Sequence, residues 1–403
     1  MSSILQRMGL RIFSTFWPPP KPKVYTGPHS VLRLADLVFL SGCRRPLIVT
    51  GRFLLHNGML DSFIKRLNSN GCEVTIYDGT KPNPTFAEVN GGLELCLEHQ
   101  CDCVIAIGGG SVIDTSKVIA AAAANKVGLR KLAGPLKVKK PPLPFFAAPT
   151  TSGSGSEATS AAVISDVETH KKVFFIDPKY TPTDVALDPI LIQSLPAHIT
   201  ASVGLDALTH AIEAYTSKNT FRDSDESALN AIELIFENLP KAFVDGGNLE
   251  AREAVAKGSF LAGYAFAKSS LGYVHAISHQ ITSLYNTPHG LANAILLPRV
   301  LRFNRGVSER HLAEIEKKLS SSKGKSDTKV LADRFIKRVD DLLEQLEIPV
   351  MISELSDSDF SEITRAANNE VMKSYAVPKV MKSRDIEVIL RSVKNGDMEI
   401  NFN

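Results

Sequence analysis

The chain has 403 residues, of which 44% are apolar and 22% charged, so a disordered, collagen-like or disulfide-dense protein is excluded. Lys and Arg number 46 against 43 Asp and Glu, a net charge of +3 with mixed signs, which gives no footprint for nucleic acid. The chain has no long charge-free apolar run, so no membrane partner is expected, and its length exceeds what one hydrophobic core usually supports.

The N-terminal stretch is acid-poor: residues 1–35 hold no Asp or Glu, and Arg7 and Arg11 lie among Ile4, Leu5, Met8, Leu10, Ile12, Phe13, Phe16 and Trp17. Residues 1–23 read as an arm packing on the body or as a mitochondrial presequence, so the expected location is cytoplasmic, or mitochondrial in the second case. After Pro18-Pro19-Pro20, strands alternate with helices. Pro46–Thr50 reads as a buried parallel strand, 58–68 as a helix, Cys72–Tyr77 as a strand and Phe86–His99 as a helix. Asp102–Ile107 is the next strand, Ser111–Ala124 a helix and Pro144–Ala148 a further strand. This alternation predicts an α/β domain with a parallel sheet over 24–196. From Ile199 the pattern is helical, as in Val330, Leu331, Phe335, Val339, Leu342, Leu343 and Leu346 ahead of Pro349, and 197–403 is expected to be all-α. Ser320–Ser326 reads as a polar loop. The cysteines, Cys43, Cys72, Cys96, Cys101 and Cys103, are odd in number and confined to the α/β part, which predicts reduced, mostly buried thiols.

Gly108-Gly109-Gly110-Ser111 joins a predicted strand to a predicted helix. Three glycines let the backbone approach a ligand, and the helix that follows offers free N–H groups to a pyrophosphate. The G-x-G-x-x-G fingerprint is absent. A second loop rich in hydroxyls, Pro149-Thr150-Thr151-Ser152-Gly153-Ser154-Gly155-Ser156-Glu157, follows the next strand, and ligands of open α/β sheets sit beyond such carboxyl ends. In the helical part Asp206 and His210 are spaced i, i+4, as are His275 and His279, and His289 follows Pro288. Imidazoles with one carboxylate suit Fe(II) or Zn(II). Spacing leaves five candidate ligands and does not say which histidine is spare.

Together these segments resemble the iron-dependent (group III) alcohol dehydrogenases, from about Val24 to near the C-terminus. The matching stretches are Gly108–Asp114, Thr150–Glu157, Gly204–Tyr215 and His275–Pro298, the last ending in Asn286-Thr-Pro-His-Gly-Leu-Ala-Asn-Ala-Ile-Leu-Leu-Pro298. The resemblance implies a dinucleotide-binding α/β domain and a helical catalytic domain, the architecture shared with dehydroquinate synthase. It assigns a metal, Fe2+ with Zn2+ as the alternative, to Asp206, His210, His275 and His289, and makes His279 the spare histidine near the nicotinamide. Gly108, Gly109, Gly110 and Ser111 would hold the pyrophosphate, and Asp114, Thr150, Thr151, Ser154 and Lys172 would line the cofactor site. The implied reaction is hydride transfer between a nicotinamide and a small primary alcohol or aldehyde, in a homodimer or larger homo-oligomer. A hydroxyacid–oxoacid transhydrogenase and a dehydroquinate synthase-like lyase are the alternatives. Where many members that use NAD carry Asp after the first strand, this chain has Gly51 followed by Arg52, which predicts NADP(H) over NAD(H). Ala161 stands where some diol-oxidising members have Asn, Arg299 where His is common and Ser154 where Thr is frequent.

Overall fold

The computed structural model describes residues 15–168, 171–320, 327–400 and 402. Most of the N-terminal stretch weighed above as a presequence, and most of the polar loop after Ser320, lie outside the described residues. The chain divides into two compact units, Pro18–Leu195 with Gly247–Ala256, and Pro196–Gly246 with Lys257–Asn403.

The first unit is built on a parallel sheet. Its strands are β1 (Lys23–Thr26), β2 (Pro46–Thr50), β3 (Thr75–Tyr77), β4 (Cys103–Gly108), β6 (Phe145–Pro149) and β9 (Asp184–Leu187), and they lie in the order β1-β9-β6-β4-β2-β3. Every pairing in this sheet is parallel. All residues of β2, β4 and β6 are buried, as their unbroken apolar runs require of strands covered on both faces. The helices are α1 (Ser30–Leu40), α2 (Arg52–His56), α3 (Asp61–Ser69), α4 (Phe86–Glu98), α5 (Gly110–Asn125) and α6 (Pro189–Ile192). A capping box between Thr85 and Glu88 starts α4.

Two features depart from the expectation. The strand expected over Cys72–Tyr77 forms only as β3, because Cys72 still closes the end of α3 through a bond from its N–H to Leu67 O. The chain also builds a small second sheet, in the order β5 (Gly134–Pro135), β8 (Lys171–Ile176), β7 (Ala161–Asp166), with β7 and β8 antiparallel. Each of its strands is too short, and too mixed in burial, to stand out by periodicity.

The second unit is helical: α7 (Ala197–Thr216), α8 (Arg222–Val244), α9 (Leu249–Ser269, of which Lys257–Ser269 belongs to this unit), α10 (Tyr273–Tyr285), α11 (His289–Asn304), α12 (Glu309–Leu319), α13 (Thr328–Gln345), α14 (Phe360–Ser374) and α15 (Ser383–Asn395). Nearly all of α7 from Gly204 onward is buried, so this helix is the centre of the unit. A Cβ on Gly204 would lie 2.4 Å from Leu239 Cδ1, so glycine sets how closely α7 and α8 cross. Arg299 is fully buried, and its guanidinium donates to Ile295 O (2.6 Å), Val350 O (2.7 Å) and Ser392 Oγ (3.0 Å). It braces α11 against α15 and the segment that follows α13. No described helix is long and apolar enough to cross a membrane.

Candidate metal centre and cofactor turn

In the α/β unit, chain order and sheet order disagree at one place. The chain runs from β2 outward to β3, then crosses back to β4 on the other side of β2. The carboxyl ends of β2 and β4 therefore flank a topological switch point, where open α/β sheets bind ligands. Thr50 pairs with Ile107, so Gly51 and Gly108 emerge side by side, and Thr150 N bonds Gly108 O at 3.0 Å. Three of the segments singled out in the sequence thus leave the sheet at one rim.

The glycines are there because the space is taken. A Cβ on Gly108 would fall 2.6 Å from Val112, and one on Gly110 would fall 2.7 Å from Ser154 Oγ. Val112 and Ile113 give their N–H groups to Gly109 O, so the amides of Gly110 and Ser111 head the helix ahead of its first ladder bonds. Such an N-terminus suits a pyrophosphate. Thr151 lies against Gly109, its side chain 3.5 Å from where a Cβ would be. Lys172 is exposed on β8, and its charge acts on Asp114.

Asp114 is held by the protein itself: it accepts from Ser156 Oγ and from Val163 N (2.9 Å). Beside it Lys117, which the sequence did not single out, is fully buried. Its Nζ donates to Ser156 O (2.7 Å), Ala161 O (2.7 Å) and Thr159 Oγ1 (2.9 Å). These bonds pin the hydroxyl loop to α5. Burial pushes Lys117 down to about 8 and Glu157 up to about 7.

Glu157 gives a pH dependence of stability. Below its unfolded value of 4.5 it is protonated in both states. Between 4.5 and about 7 the unfolded chain ionises while the folded chain keeps its proton, so stability falls as pH rises. The full loss is up to about 3 kcal/mol. In urea unfolding, the stability difference between Glu157→Gln and wild type is expected to widen by about that amount across the window. A constant difference would show that the buried carboxyl titrates as it does in the unfolded chain.

In the helical unit, α7, α10 and α11 bring the acid and the histidines together. Asp206 Oδ1 lies 3.9 Å from His210 Nε2, 3.7 Å from His275 Nε2 and 3.7 Å from His289 Nε2. These gaps are too long for hydrogen bonds, and they suit donors that each stand about 2.0–2.2 Å from a shared ion. The donor atoms of Asp206, His210 and His275 fall within 4.8 Å of one another. The side chains of His210 and His275 are 6% and 1% exposed and that of His289 is 32% exposed, so the set is open on the side of His289.

Electrostatics points the same way. Burial would raise Asp206, yet the surrounding imidazoles hold it well below the usual carboxylate range. Burial would likewise lower His275, yet Asp206 and Glu213 push it up to about 9. Both shifts report a centre that favours positive charge. Asn293 Nδ2 reaches into the same centre, 2.7 Å from Asp206 Oδ1, 3.1 Å from His289 Nε2 and 3.2 Å from His275 Nε2. One carboxylate and imidazole lone pairs converging on one point is a donor set that fits Fe(II) or Zn(II).

Around these residues lies a supporting layer that the sequence reading missed. Glu213 accepts from His275 Nδ1 (2.7 Å), Gly272 N and Val274 N (both 2.8 Å). It thereby fixes the tautomer that leaves Nε2 free to ligate. Its signal was available, since Glu213 stands two turns after Asp206 on one helix face. His279 differs from the other histidines. Its Nδ1 is bonded to Glu370 Oε1 (2.6 Å), which also accepts from Tyr375 OH (2.6 Å), and its ring stacks on His289 at 5.1 Å. Nothing in the sequence announces Glu370, 91 positions later.

The family model for iron-containing alcohol dehydrogenase matches residues 20–189, and that for the Fe-containing alcohol dehydrogenase C-terminal region matches residues 200–394. An NAD-dependent methanol dehydrogenase of Bacillus methanolicus is 35% identical, over 94% of this chain and 99% of its own. A 1,3-propanediol dehydrogenase of Klebsiella pneumoniae is 35% identical, over 91% of this chain and 96% of its own. A crystal structure of 1,3-propanediol oxidoreductase superposes with a TM-score of 0.90 at 34% identity, covering 94% of this chain and 99% of that one.

Proposed function

Because the chain belongs to the iron-containing alcohol dehydrogenase family, we propose that it interconverts a small primary alcohol and its aldehyde, with NADP(H) as the preferred hydride carrier. The observation that carries the reaction is that Asp206 Oδ1 lies 3.7–3.9 Å from a ring nitrogen of each of His210, His275 and His289. A divalent iron held by these four side chains would supply Lewis acidity at the substrate oxygen. His279, with Nδ1 held by Glu370, keeps Nε2 for a proton travelling to or from the alcohol. Gly108, Gly109, Gly110 and Ser111 bind the pyrophosphate through backbone N–H groups, and Thr150, Thr151 and Ser154 line the same rim of the sheet. The similar proteins of Bacillus methanolicus and Klebsiella pneumoniae bear the names of dehydrogenases of methanol and 1,3-propanediol, which supports a short, uncharged substrate.

The preference for NADP(H) rests on Gly51. It stands at the switch point, where a carboxylate would meet the adenosine ribose, and the space a side chain would enter is open. Arg52, exposed beside it, pairs only loosely with Asp78 at 3.9 Å, so its guanidinium can reach a 2′-phosphate. The test is the rate of NADPH and NADH oxidation with short aldehydes, using iron-loaded enzyme and a chelated control. NADPH is expected to give the higher kcat/KM, and Gly51→Asp to shift the ratio toward NADH by about tenfold or more. A wild-type ratio favouring NADH overturns the cofactor preference. Absence of metal-dependent turnover with either cofactor overturns the substrate class.

A further inference from the structure

Helices α1, α3 and α4 end alike. Each is followed by a residue with positive φ, namely Gly42 (85°), Gly71 (83°) and Gln100 (48°), and then by a cysteine. The cysteine N–H bonds the carbonyl five residues back: Cys43 to Val38 (3.3 Å), Cys72 to Leu67 (3.1 Å) and Cys101 to Cys96 (2.9 Å). This closure brings the two joined side chains into contact. At the first two ends a thiol meets an aliphatic group. At the third, between Cys96 and Cys101, a thiol meets a thiol.

All five cysteines lie near the amino ends of β2, β3 and β4, whereas Gly51 and the glycine turn lie at carboxyl ends of the same strands. They have no part in the cofactor rim. Cys43 and Cys103 form a second close pair, with Asp102 beside them. That group makes a poor cation site, since the Asp102 carboxylate already accepts from Arg44 N (2.7 Å) and Arg45 N (2.9 Å). It is also packed in the core with Leu34, Val38 and Ile48.

We propose that Cys96 and Cys101 are a site of reversible oxidation, at which hydrogen peroxide converts the thiol pair to a disulfide and a dithiol reductant restores it. Cys101 is the attacked thiol, being 8% exposed against 1% for Cys96. The polar side chains of Cys96 and Thr75 beside it hold the Cys101 thiol down to about 7 against the effect of burial. Its thiolate takes one peroxide oxygen, the O–O bond breaks and hydroxide leaves, giving the sulfenic acid. The Cys96 sulfur then attacks the Cys101 sulfur and loses its proton, and the S–O bond breaks with release of water. Two thiols and one peroxide thus become one disulfide and two waters. Because the helix-end closure, Cys101 N–H on Cys96 O at 2.9 Å, already holds the two residues together, closing to the bond length of about 2.05 Å calls chiefly for rotation of side chains. The product ties the end of α4 to the start of β4.

The test is a peroxide titration of the full chain. It is quenched in acid, alkylated under denaturing conditions, reduced, and alkylated again with an isotopically distinct reagent, so that all five cysteines are read by mass spectrometry. Cys96 and Cys101 are expected to leave the reduced pool together, at about tenfold less peroxide than Cys43, Cys72 or Cys103, and to return with dithiothreitol. In Cys96→Ser, or Cys96→Ala if serine disturbs the helix end, Cys101 is expected to be trapped by dimedone. Earlier oxidation of Cys43 and Cys103 overturns the proposal. So does survival of both Cys96 and Cys101 as thiols while added glutathione is consumed, and an unlabelled Cys101 in the variant overturns its role as the attacked sulfur.

Discussion

Asp206→Asn is expected to lower kcat/KM by about 10³-fold or more, the loss of several kcal/mol of charge stabilisation. Among the described residues Asp206 is the carboxylate whose oxygen faces His210, His275 and His289 together, and burial leaves its charge no solvent to lean on. An amide is isosteric but neutral, so the variant should fold and should hold its iron far more weakly. Glu213→Gln provides the graded comparison. It leaves every ligating atom in place and weakens the grip on His275 Nδ1 and on the backbone amides that start its helix, so metal affinity should fall about 10–100-fold while kcat recovers at saturating metal. Metal content by mass spectrometry, affinity by chelator competition, and turnover at several metal concentrations read both variants. An Asp206→Asn protein that keeps its iron and its rate would remove Asp206 from the ligand set.

Gly290→Ala should be nearly as damaging, although its methyl group carries no chemistry. A Cβ on Gly290 would stand 2.4 Å from Ser202 O and 2.9 Å from the carbonyl carbon of Ser202, a clash with backbone that no rotamer relieves. The start of α11 must then move away from α7. His289 is the first residue of α11, and Asp206 lies one turn beyond Ser202 on α7, so the methyl group separates two of the four donors. Metal affinity should drop about 10–100-fold, as when a residue that orients a ligand is lost. Stability should fall by about 1–3 kcal/mol, the usual cost of overpacking. Gly306→Ala is the control, since nothing lies within 4 Å of its Cβ, and it should stay within about 0.5 kcal/mol of wild type. Equal metal affinity in the two variants would mean that α11 can shift without carrying His289 away from Asp206.

The two candidate sites were legible to different depths. The glycine turn is local: a buried strand, three glycines and a helix start are contiguous in the chain, and that continuity is what the backbone amides need. The pairs Asp206/His210 and His275/His279 are also local, since a spacing of four places both members on one helix face. Lys117 escaped notice because a charged residue near a helix start ordinarily faces water, and only the packed loop shows it and Glu157 to be buried. The cysteines read as passive core thiols, because a closure between residues 96 and 101 depends on the positive φ of Gln100, which composition does not display.

Residue order by itself determined what depends on near neighbours: the alternation that makes the α/β unit, the helices that follow, the glycine turn, and the chemical types of the metal donors. The order of the strands, the second sheet and the groups that hold each histidine came only from the tertiary structure. Five candidates shared the right chemistry. The group that meets the far side of a ring comes from a distant segment, Glu213 for His275 and Glu370 for His279. Helical periodicity says which face of a helix a ring leaves from. The direction in which its second nitrogen points is decided by the helices packed around it.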